Sequence, residues 1–150
     1  MGSFSALDVG ASGLTAQRLR MDTISQNIAN ANTTRTEKGT PYRRKIVVFE
    51  EMMNNVNGMP TNNTNEGINS ALIGSGVRVT KIAEDPSEFR KIYEPGHPDA
   101  NKDGYVEMPN IDLVTEMVNM ISATRAYEAN ITSINASKSM AVKALEIGRG

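Results

Sequence analysis

The sequence predicts an α+β fold: long N- and C-terminal helices forming an axial coiled coil, with a small β-rich middle domain. Three observations point there. Apolar residues recur at seven-residue spacing near both ends of the chain. Stretches rich in β-branched and aromatic residues lie between those ends. Five of the seven aromatic residues fall between Tyr42 and Tyr105, so the ends are poor in the large rings that build compact cores.

Residues 5–31 read as the first helix. Leu7, Leu14, Met21 and Ile28 form one heptad column, with Ile24 and Ala31 in the neighbouring one, where Gly10 and Gln17 interrupt it. At ~1.5 Å per residue such a helix spans roughly 40 Å. Asn30, Asn32, Thr33 and Thr34 end it, because their side chains compete for backbone hydrogen bonds. Tyr42–Glu50 (YRRKIVVFE) reads as a strand. Residues 53–76 are rich in Asn, Gly and Thr without periodicity and are expected to form a mobile loop. Val77–Ala83 and Glu88–Glu94 read as two further strands split by an Asp85-Pro86-Ser87 turn, and Tyr105–Met108 as a short fourth.

The second helix is expected over Ile111–Ile147, a run without Pro or Gly, which spans roughly 55 Å. Asn110 is its expected N-cap, Asp112 sits in the first turn where the helix dipole favours an anion, and Gly148 stops it. Leu113, Met120, Tyr127, Ile134 and Ala141 form one heptad column, and Met117, Thr124, Ile131, Lys138 and Leu145 the next. Val114, Val118 and Ile121 widen the first half of the stripe, which suggests burial against more than one neighbour. Ser122, Ala123, Ala126, Ala129, Ala136 and Ser137 are small enough for helices to approach closely. The expected division is a helical axial domain from residues 1–34 and 109–150, and a β-rich outer domain from 35–108 carrying the Asn-rich loop at 53–76.

Composition narrows the function. A chain of 150 residues accommodates one domain. It has no Cys, which removes disulfides, thiol catalysis and zinc thiolate sites. No run of about 18 apolar residues is present, so a membrane-spanning helix is not expected. Met1–Arg20 lacks the basic start and apolar stretch of a cleavable secretory signal, so passage out of the cytoplasm would need another route. Two long helices with Ala-, Ser- and Asn-rich faces bury little apolar area against about 1–2 kcal/mol of ordering cost per residue. The ends are therefore expected to be frayed in a lone chain and to order when neighbouring copies bury their stripes. Head-to-tail contacts of that type grow into helical filaments when the rotation does not close.

The segment Ala11–Phe49 (ASGLTAQRLRMDTISQNIANANTTRTEKGTPYRRKIVVF) resembles the N-terminal signature of bacterial flagellar rod and hook proteins, with its core in Ile24–Thr33. The segment His97–Gly148 is similar to the C-terminal half of the same family. Hook and distal rod members carry much larger middles, so the length favours a proximal rod member. The resemblance implies paired terminal helices in an axial layer, a small β domain outside it, and a structural role in the shaft that carries torque from motor to hook. It implies a place in the basal body outside the cytoplasmic membrane, in the periplasmic or cell-wall space. It implies export through the flagellar type III apparatus. The implied partners are other rod subunits, copies of the chain itself, the adaptor that seats the rod on the membrane ring, and the export apparatus. A stand-alone coiled-coil adaptor is the first alternative.

Several residues invite chemical readings. Asp99, Asn101, Asp103, Gly104 and Glu107 imitate the start of a calcium loop, which makes a calcium-responsive module over 99–110 a second alternative. The twelfth position is Asn110 where a bidentate Glu is required, so an ordinary Asx-stabilised turn is the expectation. Arg35, Lys38, Arg43, Arg44 and Lys45 make a basic cluster; residues 1–48 carry +4 and 49–150 carry -5. The net charge of -1 and the few aromatics argue against nucleic acid, and the cluster is expected to face acids of a neighbouring subunit, with Glu84, Asp85 or Glu88 as candidates. Asn27, Asn30 and Asn32 are expected to make interhelical hydrogen bonds that fix register, with Arg125 and Tyr127 in the same part on the second helix. The expected subunit-contact set is completed by Leu7, Leu14, Met21, Ile24, Ile28, Leu113, Met117, Met120, Ile131, Ile134 and Leu145. His97 has no nucleophile or second His at useful spacing and reads as a turn residue. No cofactor, metal or catalytic activity is expected.

Overall fold

The computed structural model describes residues 2–52 and 76–148. In chain order these form α1 (Gly2–Ala29), β1 (Lys45–Glu51), β2 (Val77–Glu84), β3 (Arg90–Tyr93), β4 (Tyr105–Met108) and α2 (Leu113–Ile147). The architecture is α+β, as the sequence predicts. The expected loop at 53–76 lies outside the described residues apart from Gly76. β1 and β2 pair antiparallel from Lys45 opposite Glu84 to Glu51 opposite Val77, with a bulge between Val48 and Phe49. β3 and β4 form a second antiparallel hairpin, from Arg90 opposite Met108 to Tyr93 opposite Tyr105.

α1 and α2 run antiparallel along each other. Asn27 meets Glu116, Met21 meets Thr124, Gly13 meets Asn130 and Gly10 meets Ile134. The β1–β2 hairpin lies along another side of α1. Asn27 holds Lys45 at one end, and the Ser12 hydroxyl accepts the Val77 N–H (3.1 Å) at the other. α1 is thus the central rod of the chain, covered by α2 on one side and by the hairpin on another.

The seam between the helices differs from the expected pair of columns. On α2 the column Met120, Tyr127, Ile134 and Ala141 does turn inward, but its partner is Glu116, Ala123, Asn130 and Ser137. Met117, Ile131 and Leu145 face solvent, at 54%, 38% and 71% exposure. On α1 the column that looked interrupted is part of the contact. Gly10 and Gly13 are buried, and a Cβ at Gly10 would lie 2.6 Å from Ile134 Cγ1. The glycines are what lets the helices come so close.

This contrast yields an expected result. Gly10→Ala pushes against a branched side chain near its base, and the clash outweighs the gain of about 1 kcal/mol in helix propensity. Gly13→Ala meets the amide end of Asn130, which can swing aside. Gly10→Ala should therefore lower the unfolding midpoint, while Gly13→Ala should leave it unchanged or raise it. Thermal unfolding followed by circular dichroism decides the order.

α2 starts two residues later than expected. Asp112, not Asn110, is the N-cap: its carboxylate accepts the Thr115 N–H (3.2 Å) and the Thr115 hydroxyl. Gly148 closes the helix, its N–H reaching Ala144 O at 3.1 Å. β1 starts at Lys45 rather than Tyr42: the Tyr42 N–H goes to Thr33 O (3.1 Å) and the Arg44 N–H to Asn110 (2.9 Å), so these backbone donors lie outside the β2 ladder, although Arg44 O still accepts the Asp85 N–H (2.8 Å).

Candidate functional site

Two features stand out: a buried polar junction where the helices and the first hairpin meet, and an apolar face of α2 turned to solvent.

The junction is built around Asn27 and Glu116, each about 1% exposed. Asn27 sits near the end of α1. Its Nδ2 donates to Lys45 O and to Glu116 Oε2, both at 2.9 Å. Its Oδ1 accepts from Lys45 N (2.9 Å) and from the Tyr42 hydroxyl (3.2 Å). The amide therefore treats Lys45 as a neighbouring strand would, using one donor and one acceptor. Both donors and both acceptor sites of the amide are filled, which a low-dielectric site demands.

Glu116 accepts only. Its Oε1 takes Arg44 Nε (2.9 Å) and Nη2 (2.7 Å), and its Oε2 takes Asn27. Arg44 also reaches Asp85 Oδ2 through Nη1 at 3.1 Å, so one planar guanidinium bridges α2 and the end of β2. Burial alone would lower the Arg44 pKa, but its bonds to Glu116 and Asp85 outweigh that and raise it. Burial, then the charges of Glu116 and Glu84, pushes the Tyr42 phenol up, which keeps it a donor to Asn27. Asn110, freed from capping, accepts Arg44 N (2.9 Å) and donates to Ser87 Oγ (2.8 Å).

The Ser87 N–H and hydroxyl, and then Arg44, hold the Asp85 carboxyl below the usual carboxylate range. A depressed folded pKa contributes stability above the unfolded value of about 3.9, and that contribution is lost as pH falls through the folded value. Asp85→Asn should accordingly flatten the fall in stability below about pH 4. Urea unfolding at stepped pH measures the slope; an unchanged slope would count against this assignment.

The basic cluster differs from expectation. Arg44 finds its acids within its own chain, and Asp85 is one of them. Arg43 donates to Asp85 O (2.9 Å) and Ser87 O (3.0 Å) and lies 4.3 Å over the Phe89 ring. Of the three asparagines only Asn27 bonds to the other helix. Asn30 serves its own helix end, donating to Gln26 O and accepting from Thr33, and Asn32 is exposed. Arg125 is exposed, while Tyr127 is half-buried on the seam. Leu7, Leu14 and Ile28 are half-buried, Met21 is half-buried and meets Thr124 across the seam, and Ile24 is buried.

In the loop that imitates a calcium site, two of the candidate ligands are engaged by other groups of the chain. Asn101 Oδ1 accepts the N–H groups of Asp103 and Tyr105, and Asp99 accepts from Thr34 and pairs with Arg35 at 3.6 Å. No cluster of three or more metal-ligating side chains occurs among the described residues. His97 Nδ1 accepts the Asp99 N–H at 3.1 Å, a turn contact.

The second feature is the outward face of α2. Leu113, Val114, Met117, Val118 and Ile121 are 47–69% exposed and lie on successive turns, away from α1. Met140, Val142, Leu145 and Ile147 add further exposed apolar surface towards the C-terminal end. Among the described residues few apolar side chains are buried, including Ala16, Ile24, Val106, Ile111 and Ala123. Exposed apolar surface that is contiguous along a helix is a common feature of protein–protein contact sites. No helix among the described residues is long and apolar enough to cross a membrane.

A polar junction inside and apolar stripes outside suit a structural protein that packs against other subunits. Similarity to known proteins identifies the family. Residues 7–35 match a family of flagella basal body rod proteins, and residues 102–147 match the C-terminal family of the flagellar basal body rod FlgEFG proteins. The chain is 51% identical to the flagellar basal-body rod protein FlgC of Borreliella burgdorferi, with all of both chains covered. It is 48% identical to FlgC of Bacillus subtilis and 40% identical to FlgC of Escherichia coli O6:H1, over 99% of this chain and all of each relative. The chain belongs to the FlgC family, the structural rod subunits of the flagellar basal body.

Proposed function

We propose that the chain is a structural subunit of the proximal section of the rod, and that it carries torque from motor to hook by packing its axial helices against those of neighbouring subunits. The observation that carries this reading is the outward apolar face of α2, on a chain similar over its whole length to basal-body rod proteins. On this reading the axial domain is residues 1–34 with 109–150, and residues 35–108 form the outer part. The subunit-contact residues are Leu113, Met117, Ile131 and Leu145 on α2, with Leu7 and Leu14 at the edge of the seam. The partners are copies of the chain, other rod subunits, the adaptor to the membrane ring and the type III export apparatus, and the site of action is the space outside the cytoplasmic membrane. The role is architectural, with no catalytic step, metal or cofactor.

Ile131→Asp tests the contact. The side chain is half out of the seam, so the charge can stay hydrated in the lone chain but not in a packed layer. The variant should fold its β hairpins normally, fail to enter basal bodies, and abolish swimming. Normal motility, or purified basal bodies that hold the variant, would overturn the reading.

A further inference from the structure

We infer that Asn27, Arg44 and Glu116 form a joint that makes the β1–β2 hairpin and the two-helix layer open and close as one unit. Among the described residues, every hydrogen bond that ties α2 itself to the segment entering β1 runs through Glu116, from Arg44 Nε and Nη2. Asn27 ties the same carboxylate to the first residue of β1 through its own amide. Arg44 carries the connection on to Asp85 at the end of β2. One buried oxygen pair thus joins α1, α2, β1 and β2.

The chemistry leaves the joint no second arrangement. Asn27 has both donors and both acceptor sites committed, so it cannot rotate its amide without losing Lys45. Both oxygens of Glu116 face donors, so a neutral amide there would set an NH2 group against one of them. Networks of this kind are stable while complete and fail together when one member is lost. Its mechanical use, passing load between the outer hairpin and the axial helices, rests on the rod reading. The coupling itself does not, since it belongs to the lone chain.

Native-state hydrogen exchange on the purified full chain, over increasing low urea, tests the coupling. In the unaltered chain the amides of Lys45–Glu51 and of residues 113–123 should share one opening, with the same urea dependence. In Glu116→Gln the hairpin amides should exchange on the order of tenfold or more faster, while those of α2 change by less than about threefold. Arg44→Lys, which keeps the charge but loses the planar fork, should decouple them in the same sense. Arg78→Ala removes the exposed Arg78–Glu50 pair on the same hairpin and should leave the coupling intact. Independent opening in the unaltered chain, or an equal rise in both segments in Glu116→Gln, would overturn the joint. So would loss of protection throughout the chain in both variants, since the cluster would then support the whole fold rather than link two parts of it. A coupled chain that nevertheless fails to enter basal bodies would count against the rod reading alone.

Discussion

Asn27→Asp should be among the most damaging single substitutions in the chain, although it exchanges one NH2 for one oxygen. The new oxygen would face Lys45 O and Glu116 Oε2, both now 2.9 Å from a donor. Two acceptors and a second negative charge would meet where water cannot enter. The new carboxyl can escape by staying protonated and donating in place of the lost amide. Its folded pKa would then rise far above about 3.9, and holding a proton at pH 7 costs about 1.4 kcal/mol per pH unit, or roughly 4 kcal/mol. For a chain of this size that lowers the melting temperature by about 8–16 °C. The sign with pH follows. The penalty is complete above the raised pKa and fades as pH falls towards the unfolded value, so the variant should approach the parent near pH 4. Urea midpoints of both proteins between pH 7 and pH 4 measure it. A constant gap across that range would show that charge at the junction is not the cause.

Met117→Asp is expected to do the opposite: nothing to the fold and everything to assembly. The side chain is 54% exposed in the middle of the outward face of α2. A surface substitution of this type usually shifts stability by less than about 0.5 kcal/mol. Packed against a neighbouring helix, an unpaired carboxylate at that position costs several kcal/mol, of the order of 3 or more. The variant should thus unfold at the parent's urea midpoint, remain monomeric where the parent associates, and leave cells non-motile. Swimming cells, or a collapsed monomer, would each contradict this division of the helix into an inward and an outward side.

The fold was largely legible because helices and strands announce themselves by period. Among the described residues, the seven-residue columns locate both helices, and the β-branched runs locate all four strands to within a few residues. The seam was harder. Gly10 and Gln17 look like gaps in an apolar stripe, and only when the helix backbones are close does a glycine become a contact residue. Met117, Ile131 and Leu145 form a heptad column expected to contact other subunits, and nothing local tells an apolar residue whether its partner belongs to the same chain. The junction was legible in part. Asn27 and Arg44 stood out as polar residues in or beside packed elements, but Glu116 resembled any first-turn acid of a helix. Its burial depends on Asn27 and Arg44, which lie 89 and 72 residues away along the chain. A Glu four residues after a helix N-cap, on the inward face of a heptad pattern, was the available signal. The basic cluster misled because sequence shows charge but not pairing, and Asp85 satisfies its arginine from the end of the adjoining strand.

Among the described residues few large apolar side chains are buried, and this bears on the heat capacity of unfolding. Heat capacity rises on unfolding chiefly because apolar groups become hydrated, at about 0.45 cal/K/mol for each Å² exposed. A lone chain that already leaves Val114, Val118, Ile121, Leu145 and Ile147 wet has less left to hydrate than a well-packed domain of its length. Its stability curve should be shallow and its melting diffuse, whereas polymerisation should release the missing heat-capacity increment with negative sign. If the chain packs as proposed, part of the thermodynamic signature ordinarily assigned to folding should appear at the moment of incorporation.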